Sequence, residues 1–137
     1  MTKITVREIM RPTQLCLKPK MDLMMVSDHL TKNNLSGAPV TDDNNNPIGF
    51  VSEYDCLEQL MQSTYYCDNT ALAEDVMSTK LIITTPELPL IDVASQMNGN
   101  KVNVAPVIEN KKVIGIISRG DVMRELVKEL ADCKIPV

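Results

Sequence analysis

Twice in this 137-residue chain a serine and an aspartate stand three residues apart behind a glycine-bearing apolar run. The two stretches read Ile48-Gly49-Phe50-Val51-Ser52-Glu53-Tyr54-Asp55 and Ile114-Gly115-Ile116-Ile117-Ser118-Arg119-Gly120-Asp121. A hydroxyl and a carboxylate at this spacing can act in two ways. At a helix start they form a capping box, in which the serine accepts the backbone N–H of the third helical residue and the acid accepts the N–H of the serine. They can also hold a nucleotide. Free N–H groups at a helix start suit a phosphate, and a serine hydroxyl adds a donor. A carboxylate repels phosphate, but it accepts both hydroxyl protons of a ribose. The two uses are compatible, because a capped start still presents its N–H groups.

The two copies differ between the serine and the aspartate. Arg119 can pair with phosphate oxygens, whereas Glu53 fills the same place in the first copy. Like charges about 5 Å apart near a wet surface cost on the order of 1–3 kcal/mol. That weakens phosphate binding about tenfold or more, and Lys80 can offset part of it. The expectation is therefore one dominant nucleotide, held by Ser118, Arg119 and Asp121 and lost in Asp121→Ala.

The elements that position these residues are themselves duplicated. At an offset of 67, Ile9-Met10 falls on Val76-Met77, Pro19 on Pro86, Leu23 on Leu90 and Ala38-Pro39-Val40 on Ala105-Pro106-Val107. After one deletion the offset is 66, and Ser52 and Asp55 fall on Ser118 and Asp121. Two copies of a unit of about 60 residues fill the chain, within the usual range of supersecondary repeats.

Each copy predicts a short strand at Leu15-Cys16-Leu17 or Leu81-Ile82-Ile83-Thr84, then a proline break. A helix through Leu23, Val26 and Leu30, or Leu90, Val93 and Met97, follows at helical spacing. Two further strands enclose a polar turn, and a second helix closes the unit. The fold class expected is α/β (α+β): tandem β-α-β-β-α units packed sheet to sheet about a pseudo-two-fold axis. The divisions expected are residues 1–62 and 73–137, with 63–72 as a linker that lacks periodicity. The residues after Cys133 read as a short, frayed tail. Gly49 and Gly115 are expected where a neighbouring backbone runs close.

This arrangement resembles the CBS domain pair, or Bateman module. Two copies of apolar-Pro-Val, a polar turn and Ile-Gly-x-x-Ser-x-x-Asp carry the resemblance, with Glu8-Ile9-Met10 and Asp75-Val76-Met77 as the entry to each repeat. The resemblance implies a non-catalytic regulatory module that senses AMP, ADP, ATP or a related adenosine compound in clefts between the halves. It implies ribose on the aspartate, and phosphate on the serine and its basic neighbour. The stronger cleft is expected to hold Ser118, Arg119 and Asp121 with Thr13, Leu15, Leu35, Ser36 and Gly37. The weaker is expected to hold Ser52 and Asp55 with Lys80, Ile82, Val102 and Asn103. The alternative is a protein-interaction module whose clefts are degenerate. The family also implies a homodimer, acting on a regulated protein that the sequence does not identify.

Composition narrows the remaining classes. A net charge of −4 and a single Phe, three Tyr and no Trp argue against nucleic-acid binding, which needs clustered cations or stacking platforms. The same charge argues against an anionic membrane surface. Cys16, Cys56, Cys67 and Cys133 show no C-x-x-C spacing, and His29 is the only histidine, so no metal cofactor is expected. No base accompanies a cysteine as a nucleophile would need. With reduced thiols and no apolar signal run, the expected location is cytoplasmic.

Overall fold

The computed structural model describes residues 4–69 and 71–133, and the segment 134–137 expected as a tail lies outside them. The chain folds as a mixed α and β protein in two similar halves. The first half contains α1 (Val6–Ile9), a 3-10 turn (Thr13–Leu15), α2 (Leu23–Lys32), β1 (Gly37–Thr41), β2 (Pro47–Ser52) and α3 (Glu53–Tyr66). The second contains α4 (Ala73–Val76), α5 (Leu90–Asn100), β3 (Val104–Glu109), β4 (Lys112–Ser118) and α6 (Arg119–Asp132).

Each half pairs its two strands in an antiparallel hairpin, with Ala38 opposite Val51 and Ala105 opposite Ile117. The second hairpin turns through Asn110 and Lys111, both with φ above zero (52° and 66°), the backbone that a two-residue turn between right-twisted strands requires. In the first, Asp42 Oδ1 accepts the N–H groups of Asn44 and Asn46, each at 2.9 Å. These bonds and the one from the Asn46 side chain hold the Asp42 carboxyl below its usual range.

The expected first strands shrink to single parallel bridges, Leu17 with Val40 and Thr84 with Val107. Prolines explain this correction in both copies. Leu17 donates to Pro39 O (2.8 Å) and Thr41 donates to Leu17 O (2.9 Å). Extending the ladder either way needs an N–H from Pro19 or from Pro39, and neither has one. Pro86 and Pro106 impose the same limit on Thr84. The segment expected as a linker is partly helical. α3 runs four residues into it, to Tyr66, and ends where Cys67 takes a left-handed conformation (φ 52°).

The leading segment of each half lies on the other half. Val6 and Arg7 donate to Leu88 O and Pro86 O, and Arg11 exchanges two backbone bonds with Ile116. Ala73 and Glu74 likewise donate to Met21 O and Pro19 O, and Ser78 pairs with Phe50. Val6, fully buried, belongs to the core of Leu90, Val93, Val107 and Ile117. Ala73 belongs to the core of Leu17, Leu23, Val26, Val40 and Val51, which also takes in Val104, Val113 and Ile116. Burying a Val or Leu side chain is worth about 1.5–3 kcal/mol, so the exchange clasps the halves together.

Thr84 occupies the place of Leu17 and is 2% exposed. Its Oγ1 has no hydrogen-bond partner among the described residues. An orphaned buried hydroxyl costs about 1–3 kcal/mol, so Thr84→Val is expected to raise stability by about 1 kcal/mol, read as a Tm increase of about 3 °C. An unchanged or lower Tm would mean that the hydroxyl is satisfied in solution.

Candidate functional site

Both serine–aspartate pairs form capping boxes at the starts of the two 14-residue helices. Ser52 Oγ accepts the Asp55 N–H (3.2 Å), and Asp55 Oδ2 accepts Ser52 N–H (2.9 Å) and Oγ–H (3.0 Å). Ser118 Oγ accepts the Asp121 N–H (3.2 Å), and Asp121 Oδ2 accepts Ser118 N–H (3.1 Å) and Oγ–H (2.7 Å). The first helical N–H of each is bound across to a strand entry: Glu53 donates to Ser36 O and Arg119 to Asn103 O, both at 2.8 Å. Ser36 and Asn103 are pseudo-equivalent, so the two helix starts are tied down in the same way in both halves.

The two carboxylates then diverge. Asp121 Oδ1 pairs with the Arg124 guanidinium, and the Asp121 side chain is 9% exposed. Asp55 is half-buried and, among the described residues, its Oδ1 takes no bond. Position 58 is Glu58 where the second copy has Arg124, so the first copy lacks this internal cation.

A cleft of about 720 Å³ between α5 and α6 is lined by the second half alone, and two further clefts at these helix starts draw on both halves. The larger of these two, about 620 Å³, gathers Ser52, Glu53, Tyr54 and Phe50 from the first half and Lys80, Ile82, Lys101, Val102, Asn103 and Arg119 from the second. Of the six residues expected there, it brings together Ser52, Lys80, Ile82, Val102 and Asn103, while Asp55 stays outside its lining. The smaller, about 440 Å³, is lined by Arg11, Asn33, Asn34, Ser36, Asn103, Ser118, Arg119 and Arg124. Of the eight residues expected there, it brings together Ser36, Ser118 and Arg119. Thr13, Leu15, Leu35, Gly37 and Asp121 stay outside its lining.

The difference is local. Thr13–Leu15 winds into a 3-10 turn whose Leu15 carbonyl bonds to His29 Nε2 at 2.9 Å. Leu35 is 2% exposed in the core, and the Phe50 ring lies against Gly37. The matching segment of the second copy, Lys80 to Ile82, has no helical turn and opens onto the larger cleft.

Of the cations of the larger cleft, the sequence reading placed Lys80 there, left out Lys101 and assigned Arg119 to the other cleft. Lys80, Lys101 and Arg119 face one acid, Glu53. Lys101 has φ 54°, matching Asn34 (φ 54°) one repeat earlier. Both positions follow the end of a helix and line a cleft. The cation missing between Ser52 and Asp55 is thus supplied by Arg119 from across the axis. Burial pushes the Cys16 thiol up to about 11 and also raises that of Cys56, which leaves both protonated and poorly nucleophilic. Among the described residues no cluster of three His, Cys, Asp or Glu could hold a metal ion, and no helix is long and apolar enough to cross a membrane.

A sequence model of the CBS domain matches residues 6–62 and again residues 73–128. The chain belongs to the CBS domain family. This CBS domain pair is 30% identical over 121 residues to the protein MJ1225 of Methanocaldococcus jannaschii, a match that covers 88% of this chain and 42% of that one. It is 34% identical over 83 residues to the CBS domain-containing protein CBSX3, mitochondrial, of Arabidopsis thaliana, covering 59% and 40%. The chain spans less than half the length of both relatives. Among solved structures it is similar to CBSX2 in complex with AMP, at a TM-score of 0.75 and 28% identity, covering 92% of this chain and 98% of that chain. AcuB from Vibrio cholerae shares the fold of this CBS pair at a TM-score of 0.80 and 23% identity, covering 98% and 100%.

Proposed function

We propose that this CBS pair is a non-catalytic regulatory module that senses an adenosine-containing nucleotide, with the larger cleft as its principal site. The carrying observation is a cleft of 620 Å³ built from both repeats in which Lys80, Lys101 and Arg119, without side-chain bonds among the described residues, outnumber one acid, whereas Arg11 and Arg124 of the smaller cleft are already engaged. That volume lies in the usual range for small-molecule sites. Apolar Phe50, Ile82 and Val102 suit an adenine ring. Lys80, Lys101, Arg119 and the capped start of α3 suit phosphate. Asp55 Oδ1 remains to accept the ribose hydroxyls.

The nucleotide class is supported by the AMP complex of CBSX2 at 28% identity. The cleft lined by Ser118 serves as a second, weaker site. This order reverses the one expected from Glu53 and Arg119 in sequence, because Arg119 reaches the larger cleft and Asp121 is already paired. Ligand then bridges the halves and shifts the population of states that an unidentified partner protein recognises.

The test is a thermal-shift panel of AMP, ADP, ATP, S-adenosylmethionine and 5′-methylthioadenosine. A ligand at a hundred times its Kd stabilises the folded state by about 2.7 kcal/mol. A shift with a phosphorylated compound, abolished in Lys80→Ala, supports the reading. No shift with any of the five overturns it in favour of an interaction module with unoccupied clefts.

We further propose a cytoplasmic homodimer. Met24, Met25, Leu57 and Met61 on α2 and α3, and Ile91, Met123, Val127 and Leu130 on α5 and α6, are exposed, and a second copy would bury them. Sedimentation equilibrium is expected to give twice the chain mass; a monomer at tens of micromolar would refute this.

A further inference from the structure

The two clefts are not independent volumes. Ser36, Asn103, Val104 and Arg119 line both, so four residues form the partition between them. Three are uncharged. The fourth is a guanidinium whose backbone is fixed by the bond to Asn103 O while its side chain is exposed.

The other arginines are already engaged. Arg7 pairs with Glu87 and Glu109, Arg11 donates to Asn33 O at 3.2 Å, and Arg124 pairs with Asp121. Among the described residues, Arg119 alone of the four makes no side-chain hydrogen bond or ion pair. The pseudo-symmetry offers no second copy of it, because its counterpart is Glu53. Lys80 and Lys101 line only the larger of the two clefts, so Arg119 is the one cation the two clefts share.

We propose that Arg119 couples the clefts negatively: the phosphate of the first nucleotide draws the guanidinium to its side and leaves the second cleft a poorer anion site. This rests on the proposal of nucleotide binding and adds its regulation. An extended guanidinium engages one phosphate bidentately more readily than it shares itself between two. The module then responds over a wider concentration range than two equal sites would. The coupling is a property of the pair, so it must appear in both directions.

The experiment is a double-mutant cycle on the full chain, read by titration calorimetry with AMP. Ile82→Trp fills the larger cleft, and circular dichroism checks that the fold is kept. With Arg119 present, the filled variant is expected to bind AMP in the smaller cleft tenfold or more tightly than the second step of the unmodified chain. With Arg119→Ala, filling the larger cleft changes that affinity less than twofold. Arg119→Lys, which keeps the charge without the planar fork, is expected to retain part of the coupling.

Two equal steps in the unmodified chain would overturn the coupling. So would a second step unaffected by Ile82→Trp, or a tightening that survives Arg119→Ala. In each of these cases nucleotide binding itself would stand. No AMP binding by the unmodified chain, with no shift from the other adenosine compounds, would instead remove the underlying reading and the coupling with it.

Discussion

Gly115→Ala is expected to destabilise this CBS pair by about 2–4 kcal/mol, more than Gly49→Ala, which is expected to cost about 1–2 kcal/mol. No glycine in the described residues has a positive φ, so what these two supply is space. A methyl group at Gly115 would lie 2.7 Å from the Arg11 carbonyl oxygen and 2.9 Å from Met10 Sδ. The Arg11 carbonyl cannot retreat freely, because it accepts from Ile116 N at 2.9 Å while Arg11 N donates to Ile116 O at 2.7 Å. Moving it breaks the pair of bonds that seats the leading segment on β4.

At Gly49 the obstacle is the Met77 side chain. A flexible thioether can change rotamer. Met77→Ala is therefore expected to recover part of the loss in Gly49→Ala, whereas Met10→Ala should not rescue Gly115→Ala. Urea unfolding of the four variants measures this. Equal costs at the two glycines, or full rescue by Met10→Ala, would show that the backbone approach does not decide the effect.

The same contacts show what could be read from the residues and what could not. The repeat offset located both glycines, both capping pairs and the two long helices of each copy, because these depend on local spacing and chain periodicity; the short helices α1 and α4 and the 3-10 turn at Thr13–Leu15 were not foreseen. The single-bridge first strands escaped, although the four prolines that limit them stand in the open. Their effect appears only once a parallel partner is assigned and the missing N–H groups are counted. The exchange of leading segments left no local signal. Val6 and Ala73 are ordinary apolar residues in their own neighbourhoods, and only the tertiary arrangement tells which half buries them.

At the site, local pairing was incomplete. Arg119 follows Ser118 in sequence, which suggests that it serves the cleft of Ser118. A long side chain at a helix start beside the pseudo-axis can reach either side, and here it lines both. Likewise the internal salt bridge that occupies Asp121 depends on Arg124 three residues on, one turn along the same helix. That spacing was visible in sequence and separates the copies more sharply than the exchange of Arg119 for Glu53 does.

The two aspartates are consequently expected to dissociate stability from binding. Asp121→Ala removes three bonds from a buried carboxylate: those from Ser118 N, Ser118 Oγ and Arg124. It leaves the Ser118 N–H without its acceptor. A lost cap and an unsatisfied buried donor together cost about 2–3 kcal/mol; the largely exposed Arg124 returns to water at little cost. Asp55→Ala removes a half-buried cap without an ion pair and is expected to cost about 1 kcal/mol.

Affinity should run the other way. Asp55 carries the carboxylate oxygen proposed to take the ribose hydroxyls, so Asp55→Ala is expected to weaken AMP tenfold or more. Asp121→Ala should change the tighter step by less than threefold, measured below its lowered Tm. Asp55→Asn separates the roles further, since an amide oxygen can still accept the Ser52 N–H while the charge that binds two hydroxyls is gone. It should restore most of the stability and little of the affinity. If calorimetry instead found the tighter step lost in Asp121→Ala and kept in Asp55→Ala, the ribose would belong to the Ser118 side. The ion pair with Arg124 would then have to open each time a nucleotide binds.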